Sequence, residues 1–153
     1  MMDKDVLSTP GHLIGIAARG FARLSEARLK PLGFGVGYLP VLIALRDGGA
    51  DTQRDLARAV KIGQPPMAQM LGRMERDGLI TRVSDPNDGR SRKIVLTSKA
   101  EAGLPAAIAV LMEGNKNALC DFTEEEITLF RSMLYRLNAN LERLTKDDRA
   151  SSD

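Results

Sequence analysis

The chain has no tryptophan, one cysteine and one histidine among its 153 residues, and aromatic residues make up only 4% of it. The single cysteine, Cys120, cannot form an internal disulfide or build a zinc site by itself. Paired acids occur at Glu124–Glu126, but they fit a helix cap better than a catalytic pair. Because no glycine-rich phosphate loop follows a strand either, no catalytic set assembles. We therefore expect a protein that is not an enzyme and that needs no cofactor or metal.

Long hydrophobic runs are also missing, since no apolar stretch approaches the roughly 20 residues of a membrane span. The first residues, MMDKDVLSTPGH, carry acids and lack the hydrophobic segment of a signal peptide. A lone cysteine suits a reducing compartment. These absences favour a cytoplasmic protein with no membrane partner.

The net charge is only +2, but it is unevenly distributed. Residues 51–99 hold ten lysines and arginines against six acids, a surplus of four positive charges. The rest of the chain has a surplus of two negative charges. A basic middle between acidic flanks indicates one module that meets a polyanion and other segments that do not.

Helical periodicity organises the first half of the chain. Apolar residues spaced three and four apart predict a helix over 11–30, and the run YLPVLIALR predicts a short buried helix over 38–46. Asp51 or Thr52 is expected to cap the next helix. After a tight turn, Gln64-Pro65-Pro66 opens another helix, because proline is tolerated in a first turn. Two helices joined by a short turn form a helix-turn-helix.

The segment 71–99 adds a β-hairpin to these helices. Charged residues and Gly78 end the second helix, a strand follows at 79–83, a polar turn with two arginines occupies 84–92, and a second strand covers 93–96. Thr97 is expected to cap a new helix. Helix, strand, basic hairpin tip, strand and helix is the order of a winged helix. The predicted fold class is therefore mainly α with a small β-hairpin wing.

The C-terminal segment predicts two further helices. Pro105 is expected either to kink the first one or to shorten its first turn. The run Thr123–Glu126 is a capping box for the second. Apolar residues then recur at spacings of 3, 4, 3, 4 and 3, and we call these six residues the seam: Ile127, Phe130, Leu134, Leu137, Leu141 and Leu144. The seam packs either within one chain or, as we prefer, against a second copy. The polar tail 146–153 is expected to fray.

The run RMERDGLITRVSDPNDGRSRKIVLT resembles the MarR family of bacterial winged helix-turn-helix transcriptional regulators. The resemblance implies one domain over 1–153, with dimerisation helices at 11–36 and 98–146 around a winged helix-turn-helix at 38–97. It also implies a homodimer that binds a pseudo-palindromic duplex, acts as a repressor and responds to a small-molecule effector. A second arginine usual after the wing aspartate is replaced here by Gly89.

In a helix-turn-helix, the second helix enters the major groove and its N-terminal half meets the base edges. If Met67, Met70, Leu71 and Met74 face inward, then Gln64 and Gln69 face out. These two glutamines are candidates for reading bases, although glutamine also suits any solvated helix face. Pro66 is expected to contact a thymine methyl, and Ala68 and the small Gly72 allow close approach. Arg73 is expected to bind guanine or phosphate.

The start of the preceding helix and the wing supply the other predicted contacts. Thr52, Gln53 and Arg54 are expected to hold phosphate, with simple capping and solvation as the alternative. At the wing tip, Arg90 is expected to enter a minor groove and Arg92 to share its face. By the family resemblance, Asp88 orients an arginine, either Arg73 or Arg90.

Two other readings of the chain stay open. A winged helix without DNA binding would serve as a protein-interaction module, although the retained arginines argue against it. A redox-responsive regulator would use Cys120, but the family's peroxide sensors usually carry their reactive cysteine in the first helix, where this chain has none.

Overall fold

The computed structural model describes residues 5–152, apart from the side chain of Ser91, and it comprises two compact units. The first unit extends to Asn115 and the second begins at Lys116. Residues 1–4 and 153, which the expected domain 1–153 includes, lie outside the described residues. The organisation of the chain as one domain stays a prediction.

Six α-helices and a two-stranded sheet lie within the described residues, which confirms the mainly α fold with a hairpin wing. None of these helices combines the length and hydropathy needed to cross a membrane. A short 3-10 helix, Lys30–Leu32, follows the first of them. In chain order the elements are α1 Pro10–Leu29, α2 Tyr38–Arg46, α3 Gln53–Val60, α4 Gln64–Arg76, β1 Ile80–Asp85, β2 Asp88–Leu96, α5 Ser98–Ala118 and α6 Glu124–Ala150.

Threonines cap three of the helices where the sequence predicted caps. The Oγ1 atom of Thr52 accepts the N–H of Asp55 at 3.2 Å, and that of Thr97 accepts the N–H of Ala100 at 3.2 Å. Thr123 and Glu126 form the complete reciprocal capping box. Each of these side chains satisfies a backbone donor that the first helical turn leaves unpaired.

The core of the first unit lies beneath α4. All four residues predicted to face inward from this helix are buried: Met67, Met70, Leu71 and Met74. They pack in one cluster with buried residues of α2, α3, β1 and α5. The short helix α2 is buried at Tyr38, Leu39, Val41 and Leu42, as its apolar sequence predicted. This packing fixes which face of α4 remains on the surface.

The hairpin is longer and its turn tighter than predicted. The strands β1 and β2 pair antiparallel and the polar turn expected over 84–92 shrinks to Pro86 and Asn87. The Asp85 carboxylate accepts the Asn87 N–H at 2.9 Å, and this side-chain bond stabilises the turn so that both strands reach it. The Ile94 N–H also donates to the Asp51 carbonyl at 2.7 Å, which ties the hairpin to the segment before α3.

The structure bears on two predictions about the C-terminal helices. Of the two alternatives for Pro105, a shortened first turn is wrong, because Thr97 caps α5 at Ser98 and the proline lies about two turns inside it. A kink at Pro105 stays a prediction. The tail does not fray at residue 146, because α6 continues to Ala150. An ion pair between Lys146 and Glu142 at 3.1 Å supports the last turns.

The second unit leaves the predicted seam on its surface. Within α6, which is described throughout, no residue is buried. Phe130, Leu141 and Leu144 are exposed, while the other three seam residues are half-buried. Phe122 stacks obliquely near Phe130, with 6.4 Å between ring centroids. A long helix with an exposed apolar stripe needs a further surface to cover it.

Candidate nucleic-acid interface

A turn of three residues connects α3 to α4. Lys61 ends α3 in the left-handed conformation, at φ 57°, and its N–H donates to the Ala57 and Arg58 carbonyls. The Ile62 N–H donates to the Ala57 carbonyl at 3.0 Å. Gly63 then precedes α4 in an extended conformation. Three residues thus reverse the chain between two helices, as a helix-turn-helix requires.

The outward face of α4 carries the residues predicted to meet DNA bases. Gln64, Pro66, Gln69 and Arg73 are exposed, and Ala68 is half-buried. This arrangement follows from the helical period, because the four buried residues of α4 occupy the opposite stripe. The helix therefore presents short polar and apolar groups along one edge, with an arginine near its C-terminal end.

The start of α3 combines capping with exposure. Thr52 is half-buried, and its Oγ1 atom accepts a hydrogen bond in the helix cap. Thr52 therefore caps the helix, as the alternative interpretation expected. Its hydroxyl hydrogen remains available as a donor. Gln53 is half-buried and Arg54 is exposed. The free N–H groups of a first helical turn favour anions.

The wing carries two exposed arginines, Arg90 and Arg92. The strand register is regular up to the pair Ser84 and Arg92 and breaks beyond it. Since Arg90 lies in the irregular stretch, strand alternation does not place it on the same face as Arg92, as the sequence-based reasoning assumed. Asp88 accepts the backbone N–H of Arg90 at 3.0 Å, so its carboxylate acts on this arginine through the main chain.

An ion pair joins the wing to α4. Arg82 Nε on β1 lies 3.5 Å from Glu75 Oε2 on α4, with the Arg82 side chain about one-quarter exposed. The separation suits an electrostatic contact but is long for a hydrogen bond. The sequence offered no signal for this pair beyond opposite charges. It links the two elements that carry the predicted DNA contacts.

A second contact between elements, which the sequence did not predict either, lies at the C-terminal end of α4. The Tyr38 hydroxyl donates to Asp77 Oδ2 at 3.0 Å, and the Asp77 N–H donates to the Arg73 and Glu75 carbonyls. Burial, and then the Asp77 carboxylate, raise the pKa of Tyr38 above its ordinary value, while Arg73 acts to lower it. The two bonded residues are 39 positions apart, and no local pattern announces such a contact.

An open cavity of about 650 Å³ lies beside the end of α4. Phe34 and Val36 give it apolar walls, and Lys30, Arg76 and Lys99 bring positive charge to it. Its remaining lining residues are Glu26, Gly33, Gly35 and Asp77. Among the described residues, no cluster of histidine, cysteine or acidic side chains is suited to hold a metal ion.

Comparison with known proteins relates this arrangement to a family of regulators. Residues 32–91, which span α2 to the wing, match the model of the MarR family. Over these residues the chain is similar to the MarR family, whose members are transcriptional regulators and not enzymes.

Solved structures share the MarR-type fold over most of the chain. A probable transcriptional regulator from Pseudomonas aeruginosa is 26% identical with a TM-score of 0.78, covering 86% of this chain and 98% of its own. A mutant MarR from E. coli, complexed with operator DNA, is 22% identical with a TM-score of 0.75, covering 83% and 91%. The organohalide-sensing regulator RdhR, bound to 2,4-dichlorophenol, is 24% identical with a TM-score of 0.78, covering 83% and 76%.

Proposed function

We propose that this chain, a DNA-binding transcriptional regulator, works as a homodimeric repressor that a small-molecule effector releases from a pseudo-palindromic operator. The observation that carries the proposal is the exposed edge of α4 beside a wing with two exposed arginines, in a segment with a surplus of four positive charges. Such a surface suits a duplex, since cations hold phosphates while a helix reads bases.

Each part of this surface has a distinct task on DNA. The edge of α4 lies in the major groove, where Gln64 and Gln69 pair with base edges and Ala68 permits close approach. Arg54, with Thr52 and Gln53, holds a phosphate at the start of α3. Arg90 enters the minor groove, and Arg92 follows the backbone.

The homodimer is supported by the exposed apolar surface of the terminal helices. Within α6, Phe130, Leu141 and Leu144 are exposed. Within α1, the apolar residues Leu13 and Phe21 are exposed as well. Two copies that cover these surfaces would present two α4 helices to half-sites about 10 bp apart, centre to centre.

The effector proposal is supported by the cavity at the end of α4. Its volume lies within the usual range for small-molecule sites, and its apolar walls and three cationic side chains suit a small organic anion with an aromatic ring. A related regulator, RdhR, binds 2,4-dichlorophenol. An effector changes operator affinity only if it binds the DNA-free conformation more tightly than the DNA-bound one.

The test is a titration of the purified chain against its own upstream intergenic duplex and a scrambled duplex at several salt concentrations. We expect selective binding that weakens steeply with salt, and we expect Arg90→Ala to weaken it roughly tenfold and to lower the salt slope by about one. Arg131→Ala, an exposed arginine of α6, is the matched control and should bind as the wild type does.

Two outcomes would replace the proposal. If neither duplex is bound selectively, the chain is better described as a winged-helix protein-interaction module. Cys120 is free and exposed, which favours a redox-responsive regulator as the second candidate. That candidate requires peroxide to abolish DNA binding in the wild type and to leave the Cys120→Ser variant unaffected.

A further inference from the structure

Asp77 is the meeting point of several contacts at the end of α4. One carboxylate oxygen accepts the Tyr38 hydroxyl at 3.0 Å, and the other lies 3.5 Å from Arg76 Nε. The Asp77 carbonyl accepts Lys99 Nζ at 2.8 Å. Asp77, the residue directly after α4, is thereby tied to the first residue of α2 and to the start of α5.

The Tyr38 ring is tightly packed and therefore has a fixed position. Tyr38 is only 3% exposed. The ring lies against the backbone of Gly35, where an added Cβ would come within 2.6 Å of Tyr38 Cζ, so that only glycine fits there. The Tyr38 hydroxyl therefore has little freedom to reach a different acceptor, and its hydrogen bond requires the Asp77 carboxylate to lie beside it.

Arg73 lies one helical turn before Asp77, and its positive charge acts to lower the pKa of the same hydroxyl. Its position is exposed on the edge of α4 that the proposed function presents to DNA. Residues four apart on a helix are neighbours, so Arg73 and Asp77 are placed to form an ion pair. Among the described residues, however, Asp77 pairs with Arg76 and the structure contains no ion pair between Asp77 and Arg73.

We propose that the Tyr38 hydroxyl is a positioning group that occupies the Asp77 carboxylate and so keeps the Arg73 guanidinium out of an ion pair with Asp77, available to bind DNA. This inference rests on the proposed DNA-binding function. Without the hydroxyl, the carboxylate turns to Arg73 to regain a partner, because an acceptor that has lost its donor seeks another. The new ion pair draws Arg73 away from phosphate and cancels its charge.

The experiment is a double-mutant cycle read by DNA affinity and its salt slope. We expect Tyr38→Phe and Arg73→Ala each to weaken binding roughly tenfold and to lower the slope by about one. The double variant Tyr38→Phe with Arg73→Ala should be no weaker than Arg73→Ala alone. Asp77→Asn should restore wild-type affinity to Tyr38→Phe, since an amide does not pair with the guanidinium as an ion.

The controls separate positioning from folding. Tyr135→Phe, at an exposed tyrosine of α6, should bind DNA as the wild type does. Thermal unfolding of every variant checks that the fold persists. Rescue by Asp77→Asn is the outcome that a purely structural loss at Tyr38 would not give, because a second substitution in a damaged core does not repair it.

Several results would overturn the inference. Wild-type affinity in Tyr38→Phe, additive losses in the double variant with Arg73→Ala, or no rescue by Asp77→Asn would each do so. If the wild type binds its operator selectively and Arg90→Ala weakens it while Tyr38→Phe does not, only the role of Tyr38 fails. If the wild type itself does not bind, the proposed function fails and this inference fails with it.

Discussion

Removal of two seam leucines should dissociate the proposed homodimer. Leu141 and Leu144 are each 51% exposed. Full burial of a leucine is worth about 1.5–3 kcal/mol, so covering the half that remains exposed contributes about 1 kcal/mol for each side chain. Two leucines in each of two symmetric copies contribute about 4 kcal/mol to the free energy of dimerisation. Loss of this contribution corresponds to a dimer dissociation constant roughly three orders of magnitude higher than that of the wild type. Leu141→Ala with Leu144→Ala removes most of this contribution.

The assay is sedimentation equilibrium from nanomolar to micromolar protein, with circular dichroism to check that the helices persist. Tyr135→Ala is the matched control, because this residue is 70% exposed but lies off the seam by helical period. It removes at least as much exposed apolar surface from the same helix. An unchanged dissociation constant in the double leucine variant, or an equal loss in Tyr135→Ala, would refute the reasoning that the seam is the interface.

Three further predictions concern stability and recognition. Met74→Ala, at a fully buried position of α4, should lower the free energy of unfolding by about 2–5 kcal/mol in a denaturant titration. Replacing operator thymines by deoxyuridine should weaken binding about fourfold for each methyl that Pro66 covers, and Pro66→Ser should abolish the difference. The pKa of Tyr38 is raised above its ordinary value of 10.0 in the folded protein. The contribution of its neutral hydroxyl to the free energy of unfolding is therefore complete below pH 10 and is lost as the pH rises further. The stability of the wild type relative to Tyr38→Phe should therefore fall only at alkaline pH.

Local sequence signals predicted the parts of the fold that depend on local physics. The threonine caps follow from unpaired N–H groups at helix starts, and the buried stripe of α4 follows from the helical period. The wing was predicted because two short apolar runs flank a polar turn. Each of these features is determined by residues within about one turn or one strand of each other.

The contacts between elements could not be predicted in the same way. Tyr38 and Asp77 meet across 39 residues, and Arg82 meets Glu75 because strand β1 packs beside α4. Around Arg90 the register is irregular, and the side chains of Asp85 and Asp88 bond there to backbone N–H groups two residues further on. A strict strand period therefore does not fix the face of a residue in this stretch.

We expect the prolines of α4 to divide the proposed DNA contacts between two helices. Pro65 and Pro66 have no N–H, so among the first three residues of α4 only Gln64 offers a free backbone donor. The start of a recognition helix ordinarily favours phosphate through several such donors. We expect that role to pass to α3, whose first turn after Thr52 contains no proline. The start of α4 is left with an apolar surface that suits contact with base methyl groups, so we expect its selectivity to depend on thymine rather than on the DNA backbone.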